Sequence, residues 1–217
     1  MAKSGAPSSV VGTGGARSAE TRRLLIDAAV ATLQSEGYAG ASARAIAERA
    51  GSNQGLIFYH FGSVANLLLA ALDAVSSTRM ERYGESVAAV ATAGELVETA
   101  TDIFRSDLDA GYITVLVEMI AGASSTPGLG AEVAARIEPW KGFAREAIEH
   151  ALRGSPLAAA LPAEDVAYAV VALYLGLEML SHLEGDREPA LALFSHAQRL
   201  AGLFEVMTVA PADGEGP

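Results

Sequence analysis

The chain has 217 residues, 51% of them hydrophobic, enough for one large domain or a small domain joined to a medium one. It contains no cysteine, which excludes disulfides and thiolate metal sites and accords with a cytoplasmic protein. A formal net charge of −11 argues against a general nucleic-acid binder.

The N-terminal stretch "MAKSGAPSSVVGTGGA" has no apolar run of signal-peptide length and reads as a flexible arm over residues 1–17. Its "GTGGA" follows no strand, so it is not a phosphate loop. A first helix is expected from Ser18, a plausible N-cap, to Glu36, closed by Gly37. Leu25, Ala28, Ala29, Thr32 and Leu33 give it a buried stripe at helical spacing. A second helix starts after Ser42, another N-cap candidate, and stops at Gly51, with Ile46, Ala47 and Ala50 inward. A third begins at Ser52 or Asn53 and ends near Phe61-Gly62. A fourth begins after Ser63 and carries Leu67, Leu68, Ala71, Leu72 and Val75.

Longer helices are expected near 94–109, 111–124, 130–153, 163–183 and 188–207. They are separated at Gly94, Gly111, "SSTPGLG", "GSPLAAALP" and "EGDREP". Residues 210–217 read as a frayed tail. The fold class is therefore all-α. The longest apolar region, from Val166, has only about a dozen uncharged residues before Glu178, short of the ~20 that a membrane helix needs. No membrane partner is expected.

The charge is unevenly placed. Residues 1–82 hold eight Lys/Arg against six Asp/Glu, while residues 83–217 hold seven against twenty. A first module that tolerates a polyanion is joined to an acidic body that repels one. The stretch "ARAIAERAGSNQGLIFYHFGSVANLL" sits in the first module. Two short helices joined by a tight turn form a helix-turn-helix, whose second helix offers its N-terminal residues to base edges in the major groove. Only its first two turns need touch DNA, so it can be short. Gln54 stands at its front, where an amide suits adenine N6 and N7. Gly55 removes bulk where backbone approaches the duplex. Phe58 and Phe61 at the back are expected in the core, with Tyr59 split between packing and DNA.

The pieces "LIDAAVATLQSEGY", "SARAIAERAG" and "NQGLIFYHF" stand in this order over about residues 20–72. In these residues the chain resembles the TetR family of one-component transcriptional repressors. The resemblance implies an all-helical homodimer with an N-terminal three-helix DNA-binding domain. It also implies a larger C-terminal domain that dimerises through its last two helices and holds a small-molecule effector. The expected domains are 18–63 for DNA binding and 64–209 for ligand binding and dimerisation. Carried over by position, the DNA-contacting set is Ser42, Arg44, Asn53, Gln54, Gly55, Leu56, Phe58, Tyr59 and His60. Four positions depart from the family pattern. Ser52-Asn53 replaces Val-Ser, Phe58 replaces a tyrosine, and Val64 replaces a lysine. The last two remove a phenol and a cation expected on phosphates.

In the C-terminal region, Phe104, Met119, Trp140 and Phe143 could line an apolar pocket, with Glu118, Tyr174 and Glu178 as its polar groups. Tyr174, Glu178 and His182 fall at i, i+4 and i+8 on one helical face, which suggests a Glu–His pair beside a dimer interface. Val166, Val170, Leu173, Leu177 and Leu180, with Leu193, Leu200, Leu203 and Phe204, form two apolar faces suited to a four-helix dimer interface. The four histidines have no metal-like spacing, and no cofactor is expected. The leading reading is a repressor that binds a palindromic operator and is released by an apolar or amphipathic molecule. Two alternatives are a helical adaptor with a degenerate helix-turn-helix and an all-α enzyme using Glu118 or Glu178 as base.

Overall fold

The structure is a computed structural model and describes residues 13–153 and 162–209. The arm before Thr13, the break over 154–161 and the tail from 210 lie outside the described residues. Nine helices and no strand occur among the described residues. They are α1 (Thr13–Gly40), α2 (Ala43–Arg49), α3 (Gln54–Phe61), α4 (Val64–Ala88), α5 (Ala93–Ala110), α6 (Tyr112–Ala123), α7 (Leu129–Ala151), α8 (Ala163–Glu184) and α9 (Glu188–Val209).

One end of α1 differs from the sequence expectation and the other agrees with it. Residues 13–17, expected as part of the arm, are helical, so α1 begins before Ser18. At its other end Gly37 closes the long helical run as expected, with a non-helical backbone (φ 69°, ψ −178°), and a short helical turn follows it as far as Gly40. Only glycine takes that φ without a Cβ penalty. The chain divides into two compact units, residues 1–74 and 75–217, so the division falls inside α4 and not at residue 63. The reason is packing. Leu67, Leu68, Leu69, Ala71 and Leu72, all in the first half of α4, are buried in the first unit.

The core of the first unit is continuous across all of its helices. Leu25, Ala29 and Leu33 of α1, Ile46 of α2 and Ile57 of α3 are fully shielded from water. Each of these leucine and isoleucine side chains is worth roughly 1.5–3 kcal/mol of burial. Thr32 joins them by donating its hydroxyl to the Ala28 carbonyl at 2.7 Å, so its polar atom is satisfied within its own helix.

In the second unit α7 packs on α8, α5 packs on α9, and α6 rests against α7 and α8. Helix α5 opens with a capping box that periodicity alone did not reveal. Thr92 Oγ1 accepts from the Glu95 N–H at 3.1 Å, and Glu95 Oε2 accepts from the Thr92 N–H at 3.2 Å. Gly94, expected as a break, lies inside α5. Its N–H donates to Glu205 Oε1 of α9 at 2.8 Å, tying the first turn of one helix to the last turns of the other. Phe104, Leu177 and Ala190 form a buried cluster, with Tyr174, Leu191 and Phe194 packed against it.

Helix α8 corrects the estimate of its length as an apolar element. It runs 22 residues with a mean hydropathy of 1.6 over its most apolar stretch, long and apolar enough to cross a membrane by length and composition. Glu178 does not interrupt it, because that side chain is shielded within the unit.

Candidate functional sites

Local chemistry fixes the helix-turn-helix. Ser42 is extended (φ −84°, ψ 158°), and its Oγ accepts from the Ala45 N–H at 3.2 Å. Asn53 does the same for α3, its Oδ1 accepting from the Leu56 N–H at 3.2 Å. Each cap satisfies one of the N–H groups that a helix start leaves without a partner. Both residues were expected at DNA, and the structure gives each side chain a structural task as well. Gly55 belongs to this arrangement. A Cβ there would lie 3.1 Å from Asn53 Oδ1, tighter than ordinary contact, so its missing side chain also protects the cap. Gly62 (φ 75°) ends α3, and Ser63 Oγ then accepts from the Asn66 N–H at 3.1 Å to start α4.

Ile57, which the sequence reading passed over, and Phe61 anchor α3; both are buried, and the Arg22 guanidinium lies 5.1 Å from the Phe61 ring centre. Phe58 overturns its core assignment. It is 52% exposed, on the outer face with Gln54 and with Tyr59, which is 79% exposed. The eight-residue helix has room for one inward pair, and Ile57 and Phe61, at i and i+4, occupy it. Leu56 and His60 are half-buried at the flanks, and the His60 ring meets the Tyr59 ring edge-on at 4.9 Å. Arg44 is exposed on the first turn of α2. By contrast Arg49 is committed to Glu36 at 2.7 Å and to Ser35 at 2.9 Å. A basic, an amide and two aromatic side chains thus stand on the outside of two capped helices. That set can meet phosphates and base edges.

The second unit holds a buried polar cluster centred on Asp107 of α5, a residue sequence reasoning missed. Asp107 is inaccessible to solvent and accepts three hydrogen bonds. Arg79 Nη2 donates to Oδ2, the Tyr83 hydroxyl donates to Oδ1 at 3.0 Å, and the Tyr174 hydroxyl donates to Oδ2 at 2.9 Å. Glu178, one turn beyond Tyr174 on α8, is also fully buried, with Oε1 3.8 Å from Arg79 Nη2. Neither of its oxygens, nor Arg79 Nε, has a hydrogen-bond partner. Burial pushes the Glu178 carboxyl up to about 8; Arg79 opposes the shift and Asp107 adds to it. Burial, with Glu178 and Asp107 behind it, also drives the Tyr174 phenol upward.

The expected Glu178–His182 pair is therefore corrected. His182 is exposed, and Glu178 turns inward to Arg79. Helical spacing showed that the two could meet. It could not show that Arg79, about a hundred positions away in sequence, offers a buried countercharge. Trp140 joins the same cluster. Its ring lies 4.5 Å from the Arg79 guanidinium, its Nε1 donates to Ser76 Oγ at 2.8 Å, and it meets Phe143 edge-on at 5.8 Å. Phe104 is fully buried and packs edge-on against Tyr174 at 5.8 Å. Met119 is fully buried and Glu118 half-buried, but α6 supplies none of the three donors to Asp107. A separate open depression of about 490 Å³ lies at the α6–α7 turn, lined by small residues including Ser124, Ser125 and Thr126.

On α8 and α9, Val170, Leu173, Leu180 and Leu200 are exposed, and so are Tyr168, Leu183, Leu193, Leu203 and Val206. Leu177 is not part of this face. It is buried against Phe104 and Ala190 in its own unit. The Phe204 side chain lies outside the described residues.

Residues 25–71 match the model of the bacterial regulatory proteins of the tetR family. An uncharacterised HTH-type transcriptional regulator of Mycobacterium tuberculosis is 32% identical over 108 residues, 49% of this chain and 55% of that protein. The match thus spans about half the length of the curated relatives. Among solved structures, a TetR-family transcriptional regulator from Cytophaga hutchinsonii superposes with a TM-score of 0.72 at 19% identity, over 90% of this chain and 98% of its own. The regulator FadR from Bacillus subtilis, solved in complex with stearoyl-CoA, gives 0.69 at 17% identity, over 82% and 96%. At these identities the structural likeness speaks to the fold.

Proposed function

We propose that the chain is a tetR-family regulator, a cytoplasmic, ligand-responsive repressor that binds a palindromic operator as a homodimer; the match of residues 25–71 to that family's model supports the reading. The observation that carries the proposal is the outer face of the helix-turn-helix. Gln54, Phe58 and Tyr59 stand exposed on a helix whose start is capped and whose back is buried, with Arg44 exposed on the helix before it. A recognition helix held this rigidly presents its first turns to base edges.

The exposed leucines of α8 and α9 support the dimer. Large apolar side chains left exposed on two neighbouring helices suit an interaction site, and a two-fold axis there would pair two helices from each subunit. Such a dimer reads two half-sites about one or more helical turns apart. The effector is proposed to be an apolar or amphipathic molecule held in the second unit. Phe104, Trp140 and Phe143 border the buried polar cluster there. A structural relative binding stearoyl-CoA supports an amphipathic ligand class. The ligand acts by preferring the conformation that does not fit DNA.

No enzymatic role is proposed. Glu178 is fully buried beside Arg79 and Asp107. An adaptor whose helix-turn-helix leaves DNA alone is the second reading, favoured by the missing phenol at Phe58 and missing cation at Val64. A shift assay of the full chain on the DNA upstream of its own coding region, run from low to moderate salt, separates the two. Saturable, competitor-resistant binding that weakens with salt is expected. Binding no tighter than to random DNA establishes the adaptor.

A further inference from the structure

We propose that Glu178, with Arg79 and Asp107 behind it, is the anchor for an effector that carries a primary or secondary ammonium group on an apolar tail. This deepens the ligand-responsive reading above and rests on it.

The argument starts from charge. The buried cluster contains one guanidinium and two carboxyl groups, all shielded from water. Asp107 uses Arg79, Tyr83 and Tyr174, and its acceptor capacity is largely filled. Glu178 has four lone-pair sites on two oxygens and no donor on them at hydrogen-bond geometry; the Tyr174 hydroxyl, which is given to Asp107, lies near enough only to ease its ionisation. If both carboxyls ionise, the cluster lacks one positive charge and several N–H donors. Burying such a charge unpaired is costly, so the site must take up either a proton or a cation.

A proton meets the charge requirement without a ligand, and the upward shift of Glu178 to about 8 shows that it is held near neutral pH. An ammonium meets both requirements, since it brings the missing charge and the missing donors. A quaternary ammonium brings charge without donors, and a carboxylate brings the wrong charge. Phe104 and Tyr174, edge-on at 5.8 Å with Phe194 beside them, are the apolar groups next to the cluster that a tail would meet once the helices part. Glu178 is inaccessible, so entry requires α8 to shift against α4 and α5, which carry Arg79 and Asp107. That movement gives the ligand a preferred conformation, as any effector needs.

Binding then exchanges a proton for the ammonium. The titratable and charged groups facing Glu178 are Arg79 of α4, Asp107 of α5 and Tyr174 of its own helix. Below pH 8 the affinity should rise about tenfold per pH unit, and one proton should be released per subunit. Above pH 8 it should level off until the amine itself loses its proton.

The test uses the full chain with n-decylamine, decyltrimethylammonium and decanoate, each below its micelle concentration. Trp140 is the sole tryptophan and contacts Arg79, so its fluorescence reports on the cluster. Saturable binding of decylamine is expected, with the quaternary analogue at least tenfold weaker and decanoate not bound. Glu178→Gln should lose at least tenfold in decylamine affinity together with its pH dependence. Calorimetry of wild type in buffers of different ionisation enthalpy gives the proton count without any variant. Equal affinity for decylamine and its quaternary analogue, or tighter binding of decanoate, overturns the assignment, as does binding without proton release. The same titrations are repeated with operator DNA. Glu178-dependent binding that leaves DNA affinity unchanged keeps the site and removes its regulatory role. Release of DNA by decylamine in Glu178→Gln as readily as in wild type keeps ligand response and removes the site.

Discussion

Arg79 stands 3.8 Å from Glu178 yet gives its hydrogen bond to Asp107. One guanidinium therefore serves two buried carboxyls unequally, and the less favoured one carries the consequence. Glu178 has an ordinary value of 4.5 and is pushed to about 8 in the folded chain. Between those limits the folded state holds a proton that the unfolded state has released. Its stabilising effect is complete below pH 4.5, declines by at most ~1.4 kcal/mol per pH unit, and is gone above pH 8. Denaturant midpoints measured from pH 5 to 9 should fall in wild type. They should fall much less in Glu178→Gln, which keeps the shape of the side chain and cannot ionise. Parallel curves would mean that Glu178 is charged in the folded protein.

Leu173 and Leu177 lie one helical turn apart and should behave oppositely. Leu173 is 61% exposed, whereas Leu177 is 9% exposed and packs on Phe104. Leu173→Arg should leave the helical content and melting temperature of the subunit largely intact and yield monomers that no longer bind a palindromic site. Leu177→Arg should instead unfold the second unit, because it forces an unpaired charge among buried apolar groups. Light scattering and circular dichroism on both variants check this. A Leu173→Arg protein that remains dimeric would move the interface elsewhere.

The two caps offer a stability test inside the DNA-binding unit. Ser42→Ala and Asn53→Ala should each cost about 1 kcal/mol, since each strips one N–H acceptor from a helix start. Asn53→Ala should also loosen DNA binding more than Ser42→Ala, because it frays the helix that bears Gln54. Chemical denaturation read together with DNA affinity gives both quantities.

Val64 begins α4 at a position where the family pattern has a cation. Val64→Lys adds two positive charges per dimer. The slope of log affinity against log salt should steepen by about 1.8, at ~0.9 per phosphate neutralised. Phe58, exposed on the outer face of α3, should tighten binding as Phe58→Tyr by roughly 1 kcal/mol per contact with little change in slope. Neither variant should change which sequence is preferred, since phosphate contacts position and base contacts specify. An unchanged slope for Val64→Lys would place the start of α4 away from the backbone.

Much of the fold was legible because its punctuation is local. Ser42, Asn53 and Gly62 mark helix ends through chemistry confined to a few residues, and the boundaries of α2, α3 and α5 to α9, with the start of α4, fall within a few positions of those expected. The buried stripe of α1 and Ile46 on α2 followed from periodicity. What escaped was long-range. Asp107 sits in "RSDLDAG", among charges that look solvated, and only the packing of α4, α5 and α8 turns it inward. Phe58 reads as core because it lacks the hydroxyl of the family's tyrosine, although Ile57 and Phe61 already fill the one inward pair. Leu177 and Leu173 look alike in sequence, and which one faces its own subunit depends on where Phe104 lies.

Base reading by α3 is tested most directly by one comparison. Wild type and Gln54→Ala are titrated on an operator and on its single-base variants at fixed salt. Gln54→Ala should lose about 1–3 kcal/mol of discrimination at one base pair in each half-site and keep its preferences elsewhere. A Gln54→Ala protein with the full wild-type sequence preference would contradict the docking of α3 in the major groove.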